Sequence, residues 1–329
     1  MGALDQWTVD EPWLDLHCAL GEGPFFEAET KTVRFVDIKK KRIHTVSLSE
    51  GMHSLKTIQL DICPTVTADI EGVDPRDKIL LGVKYGVAVL DRKTGQYELI
   101  SRFYDPNNER LRSNDGAADP QGRFWLGSMT DFGLGEFQSE GEPLSPLILW
   151  LMRWHDVARL GSHGGTGALH CFTSAGGHDK LVADLTIPNS VGWAPDTRTM
   201  YFTHSKSREI FAWDYDASAG GVLSGKRLFY RHPTSGEPDG FRVDKDGNLW
   251  SAVYGEGRVI KINPHGEVVG EVRLPTRNIT CVQFAGTELV ITSAADEAAD
   301  AAPRSRSLGG AVFRVDVGTT GLDLFKFAM

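Results

Sequence analysis

The sequence predicts an all-β chain folded as a six-bladed β-propeller. Three observations carry that expectation. A loose unit (a β-rich run, a turn of Asp, Pro, Asn or Gly, a second β-rich run) recurs six times. Its spacing is about 40 to 50 residues, that of propeller blades. Helical periodicity with caps is nearly absent, and strands without intervening helices argue against parallel α/β folds. The 329 residues hold 36 Gly, 15 Pro and 8 Trp, a composition of tight turns and aromatic strands. Repeated meanders must hide their sheet edges, and radial closure does so. A seven-bladed ring or a large sandwich is the alternative. Residues 1–329 are expected to form one propeller domain.

In chain order, residues 33–48 (VRFVDIKKKRIHTVSL) read as two strands around a Lys-rich turn. Residues 79–100 (ILLGVKYGVAVLDRKTGQYELI) turn at DRKTG. The third unit starts at 119–129 (DPQGRFWLGSM) and resumes at 167–185. The fourth is 191–215, the fifth 241–274 and the sixth 282–317. Apolar and polar residues alternate in IKIN (260–263) and FRVDV (313–317), as half-buried strands require. Trp125, Trp193 and Trp250 are expected to pack inside blades.

Two stretches break the pattern. Residues 133–165 form an insertion between strands of one blade, long for a strand connection. Its apolar run, 147–152 (LILWLM), is dense enough for a short helix. It reads as a passive surface excursion or a spurious segment, with a lid over the propeller mouth as the alternative. Residues 294–308 (AADEAADAAPRSRSL) are poor in apolar bulk and read as a flexible loop, not a site.

Composition narrows the function. Hydrophobic residues are 41% and charged residues 24%, ordinary for a folded chain and against long disorder. Lys and Arg number 35 against 44 Asp and Glu, a net charge of −9. That opposes binding to nucleic acid or to an anionic membrane, both of which attract basic surfaces. Cys18, Cys63, Cys171 and Cys281 contain no CxxC pair. The first residues carry no basic signal-peptide region. The 147–152 run is far short of the roughly 20 residues of a spanning helix. These features predict a reduced, soluble, cytoplasmic protein.

Nucleotide-binding glycine loops, HExxH and the GxSxG elbow are all missing. The ten His residues do not cluster at ligand spacing, which disfavours a His-rich zinc site. Four acidic or amide-bearing turns stand out instead: LGEGP (20–24), RSNDG (112–116), IPNS (187–190) and EPDG (237–240). Each precedes a β-rich run and so falls near the central channel. Alone, such turns usually bond their own backbone. Together they bring Glu22, Asn114, Asn189 and Asp239 to the axis from different blades. Two carboxylates and two amides make an oxygen-rich cage suited to Ca²⁺, Mg²⁺ or Mn²⁺.

These motifs carry a resemblance. LGEGPFF, FVDI, RSNDGAADPQGRFWLGSM, IPNSVGWAPDTRTMYFTHS, EPDGFRVDKDGNLWSAVYGEGRVIKINPHG and GGAVFRV occur in the order of the regucalcin/gluconolactonase (senescence marker protein) family. They cover residues 20–317 outside the insertion. The resemblance implies a sugar lactonase with one divalent cation in the channel, calcium first, with zinc, magnesium or manganese as alternatives. By motif, Glu22, Asn189 and Asp239 match the metal ligands, and Arg112 and Asn114 match the substrate contacts. The sequence departs from the family in three places. Ser190 replaces a glycine, and its Cβ narrows the φ freedom of that turn. His204 replaces an aspartate. Phe132 replaces a carboxylate, with Asp131 adjacent.

The residue types suggest a mechanism. Lactone hydrolysis needs an activated water and a stabilised oxyanion, and a divalent ion serves both. Asp239 is the expected general base. Arg112 would stabilise charge or hold sugar hydroxyls, and Asn114 would hold a hydroxyl or a metal-bound water. The expected partner is a small sugar (aldono-) lactone. The alternative is a non-enzymatic calcium-binding regulatory propeller. Arg112 beside the cage favours the lactonase, because a structural ion needs no neighbouring cation.

Overall fold

The computed structural model describes residues 4–103, 111–131, 167–174 and 176–329. After β1 (Asp5–Thr8), the chain lays down the first sheet outward from the channel as β2 (Gly21–Glu27), β3 (Thr32–Asp37), β4 (Arg42–Ser47) and β5 (Lys56–Gln59). The second is β6 (Pro64–Ala68), β7 (Lys78–Val83), β8 (Gly86–Asp91) and β9 (Tyr97–Arg102). The third is β10 (Leu111–Ala118), β11 (Phe124–Thr130), β12 (Gly167–Phe172) and β13 (His178–Leu185). The fourth is β14 (Pro188–Trp193), β15 (Thr199–His204), β16 (Glu209–Asp216) and β17 (Val222–Arg231). The fifth is β18 (Glu237–Val243), β19 (Leu249–Tyr254), β20 (Arg258–Ile262) and β21 (Val268–Arg273). The sixth is β22 (Ile279–Ala285), β23 (Glu288–Ser293) and β24 (Phe313–Asp316).

Each sheet is an antiparallel meander, and β1 adds to the fifth in parallel with β21. The inner strands β2, β6, β10, β14, β18 and β22 touch one another in that order, and β22 touches β2. The six-bladed ring is therefore closed. Inner strands sit between two neighbouring blades, so β6 and β22 are buried at every residue. Outer strands such as β13 and β17 face water and are largely exposed. This gradient explains why only some strands alternate: a strand covered on both faces reads as a continuous buried run.

Apolar layers between blades hold the ring. Trp125 packs edge-on to Trp193 at 6.0 Å, and Trp250 edge-on to Phe284 at 6.0 Å. All three predicted tryptophans are buried. Two hairpins repeat one device that places them. In DPQGRFW, Asp119 accepts the amides of Gln121 and Arg123 and, through Oδ2, the Trp125 indole N–H at 2.8 Å. In DKDGNLW, Asp244 accepts the amides of Asp246 and Asn248 and the Trp250 indole N–H at 2.9 Å. One carboxylate thus sets the turn and orients the core ring, satisfying an indole donor that burial would otherwise leave unpaired.

Both terminal segments bind the ring. Residues 13–18 lie on the sixth sheet, with Leu14 bridging Val312 and the Cys18 amide donating to Gly310. Residues 318–329 cross the channel at its other end. Amides of Leu322, Phe327 and Ala328 donate to the carbonyls of Val243, Asp69 and Gly122, on three blades.

The 133–165 insertion lies outside the described residues, so the choice between lid and excursion does too. Its flanking strands β11 and β12 are neighbours in the third sheet. The flexible-loop expectation for 294–308 is corrected. Ala294 bridges Leu20, a short helix α1 (Pro303–Leu308) follows, and buried Asp296 accepts the Ser305 hydroxyl at 2.6 Å. Its polar residues satisfy one another, so low apolar content does not leave it loose. Among the described residues no helix is long and apolar enough to cross a membrane. All four cysteines are free.

Candidate active site

The four sequence motifs converge, but not as turns ahead of strands. Each lies within the first residues of an inner strand: Glu22 on β2, Asn114 on β10, Asn189 on β14 and Asp239 on β18. Register slips there in all six inner strands, between Glu22 and Phe25, Pro64 and Val66, Ser113 and Gly116, Pro188 and Val191, Pro238 and Phe241, and Ile279 and Cys281. An inserted residue kinks a strand and re-aims its side chains, and such bulges gather beside active sites. Asn114, Asn189 and Asp239 each sit inside a bulge, whereas Glu22 immediately precedes one. The inner strands approach closely at this level. A Cβ built on Gly240 would lie 2.3 Å from the Cys281 sulfur, so the EPDG glycine is needed for clearance.

All four side chains are buried. Asn189 donates through Nδ2 to Asp239 Oδ1 and, at 3.2 Å, to Ser205 Oγ. Glu22 accepts the Gly23 amide at 3.1 Å. Burial and then the charge of Asp115 push the Glu22 pKa up to about 8. Burial, then Glu22 and Asp115, push Asp239 well above the carboxylate range, and the Asn189 bond offsets only part of that. Three carboxylates from blades one, three and five therefore repel one another in a desolvated space.

Cations flank them. Arg112 donates from Nη1 to its neighbour's carbonyl, Ser113 O, at 2.7 Å and to Asn114 Oδ1 at 3.0 Å. The Asn114 amide in turn donates to Pro188 O on the next blade at 2.9 Å. Burial pulls the Arg112 pKa down, and Asp131 opposes that most, with Nε 3.9 Å from Oδ1. Lys84 Nζ lies 2.9 Å from the other Asp131 oxygen.

Sequence reasoning missed Asp115 and Ser190 as members of this network. Asp115 bonds its own following amide, Gly116 N at 2.7 Å, as expected of an NDG segment. Its second oxygen accepts the Ser190 hydroxyl, whose oxygen also accepts the Phe241 amide at 2.9 Å. Ser190 thereby ties three blades together. It is absent from the positive-φ residues of this extended strand, so the expected strain of replacing glycine is not there. His204 accepts the Thr186 amide at 3.1 Å, which holds the loop leading into IPNS. Phe132 lies outside the described residues.

Among the described residues no three His, Cys, Asp or Glu side chains gather as a metal-binding group. The Glu22, Asn189 and Asp239 set nevertheless fits a hard divalent cation. It offers two carboxylates and an amide, and a dication would relieve the repulsion that raises both acids. Asn189 would have to turn its amide to present Oδ1 in place of Nδ2.

The description SMP-30/Gluconolactonase/LRE-like region matches residues 20–295, from the start of β2 through β22 and β23. The chain belongs to this family. Pentonolactonase XacC of Haloferax volcanii is 29% identical over 321 residues, covering 95% of this chain and 96% of that protein. The solved structure of a luciferin-regenerating enzyme aligns with a TM-score of 0.78 at 27% identity, covering 94% of this chain and 96% of that one. A calcium-binding protein, regucalcin, from Agrobacterium tumefaciens aligns with a TM-score of 0.82 over all of both chains, at 23% identity, and shares the fold. The SMP-30/gluconolactonase match spans all four site strands.

Proposed function

We propose that the chain hydrolyses sugar (aldono-) lactones to aldonic acids with the help of one divalent cation, as a step of carbohydrate catabolism. The carrying observation is the convergence of Glu22, Asn189 and Asp239 from three blades beside a buried Arg112. Family membership and the relative named a pentonolactonase support the same reading.

Glu22, Asn189 and Asp239 would hold the cation, calcium first, with zinc, magnesium or manganese as alternatives. When bound, it supplies Lewis-acid polarisation of the lactone carbonyl. Asp239 takes a proton from the attacking water as the water oxygen bonds to the carbonyl carbon. The ring C–O bond then breaks, and the leaving ring oxygen receives that proton, giving the open hydroxy acid. Arg112, pinned by Ser113 O and Asn114, is a preorganised donor for the developing oxyanion or for sugar hydroxyls. Asn114 orients Arg112 and holds a substrate hydroxyl. A solely structural ion would gain nothing from a buried guanidinium beside it, which disfavours the non-enzymatic reading.

Acid release from a panel of aldonolactones, measured with and without chelator, tests the proposal. Turnover should depend on added divalent cation. Asp239→Asn should cost at least about a hundredfold in rate, the scale of general-base loss, in a protein that keeps its β spectrum. Chelator-insensitive turnover would remove the metal, and full activity in the variant would remove Asp239.

A further inference from the structure

Beside the site, on the same end of the ring, lies a groove of about 420 Å³ between blades five, six and one. That falls within the range of small-molecule sites, roughly 300 to 1,000 Å³. Lys39, Tyr254, Arg277, Asn278, Asp296 and Glu297 line it. Its inner edge adjoins the carboxylates. Tyr254 pairs across β18 and β19 with Glu237, two residues before Asp239, and bridges Asn278 at the start of blade six. The Tyr254 phenol is pushed up to about 12 by burial and then by the charge of Asp239. The residue as a whole is 36% exposed, and it lines the groove.

The far wall is tied together by ion pairs and hydrogen bonds. Arg277 Nε lies 2.9 Å from Asp296 Oδ2, and its Nη2 lies 2.8 Å from Asp300 Oδ1. Asp296 is buried and accepts the Ser305 hydroxyl, and that same hydroxyl oxygen accepts the Arg277 amide at 2.9 Å. Both carboxylates bond the guanidinium and Ser305 bonds the Arg277 backbone, so the group is positioned before a ligand arrives, which lowers the ordering cost of binding. Lys39 is exposed, and its amine makes no hydrogen bond or ion pair among the described residues.

The chemistry selects a neutral, hydroxyl-rich occupant. Asp296 and Glu297 balance Lys39 and Arg277 along the lining, so no net charge draws an ion into the groove. An aromatic face with nearby ammonium, guanidinium and amide groups suits a sugar ring, whose C–H face packs on the aromatic and whose hydroxyls bond the donors. We propose that this groove is a distal subsite for a glycosyl substituent, so that the chain accepts lactones of disaccharide aldonic acids as well as of single sugars. The inference rests on the lactonase reading.

The test uses the full chain with calcium, gluconolactone, and cellobionolactone, which carries a glucosyl group on the gluconolactone ring. The ratio of kcat/KM for the larger over the smaller lactone should fall about tenfold in Tyr254→Ala, the equivalent of one good contact. It should fall about threefold in Lys39→Ala and recover in Tyr254→Phe, which keeps the ring. An unchanged ratio in both alanine variants overturns the subsite, and so does a wild type that does not turn over cellobionolactone. Calorimetric titration with cellobionate and gluconate decides independently of turnover. Binding of cellobionate tighter than gluconate, lost in Tyr254→Ala, supports the subsite, and equal binding overturns it. If neither lactone reacts under any divalent cation, the hydrolase reading fails while the titration still decides the groove.

Discussion

Ser190 shows how much one hydroxyl can organise. Its O–H donates to Asp115 on the third blade while its oxygen accepts the Phe241 amide of the fifth, from a position on the fourth. Removing it leaves a buried carboxylate oxygen and a buried amide without that partner, and unmade buried bonds are costly. Ser190→Ala should therefore lower unfolding free energy by about 1 to 3 kcal/mol, read from a urea titration. A loss near zero would mean that water replaces the hydroxyl. Asp115 was legible as part of RSNDG but not as a member of the cluster. Only the neighbouring blade shows where its second oxygen goes.

At the scale of elements, the approach to EPDG is held by Glu256, on the turn after β19. It accepts the Gly236 amide at 2.9 Å and the Thr234 hydroxyl, pairs with His232 Nε2 at 3.0 Å, and is chelated by Arg258. Burial alone would raise its pKa, yet bonds from Thr234, Arg258, Gly236 and His232 hold it down to about 2. A carboxyl held below its ordinary value of 4.5 stabilises the fold above that pH, and the contribution disappears as pH falls through about 2. Glu256→Gln should thus lower Tm at pH 7, and the gap to wild type should close between pH 4.5 and 2. A gap independent of pH would assign the effect to shape and not to charge. YGEGR shows the Arg258 pairing but not the rest of this role, because His232, Thr234 and Gly236 lie 20 to 24 residues upstream and meet Glu256 only across the strand pair.

The whole molecule is a ring closed at one end by its own last residues. Leu322, Leu324 and Phe325 line the channel cavity together with Phe25, Val191 and Phe241 from the inner strands. Phe327 is fully buried among Val66, Ile70, Phe124 and Phe172, between the second and third blades. Phe327→Ala should cost about 3 to 5 kcal/mol, the range for emptying a core phenylalanine site. Chemical denaturation measures it, and a change under about 1 kcal/mol would mean that the tail is not part of the folded core. This crossing segment lies outside the six repeated units, so their spacing does not reveal it.

Local chemistry determined the blades. β-rich runs, Asp-Gly turns and the DxxGxxW hairpins act within one meander, and their spacing alone predicts six units and places Glu22, Asn114, Asn189 and Asp239 at one phase. The same local view misjudged 294–308, because its polar side chains have partners in the chain: Asp296 and Ser305 with each other, and Arg277 with both. Tertiary structure decided what depends on contacts between blades. It set the bulge in every inner strand, the repulsion among Glu22, Asp115 and Asp239, the bridge through Ser190, the groove at Tyr254 and the sealed end of the channel. Charge repulsion and desolvation act through space, and those distances are set only once the six sheets close around one axis.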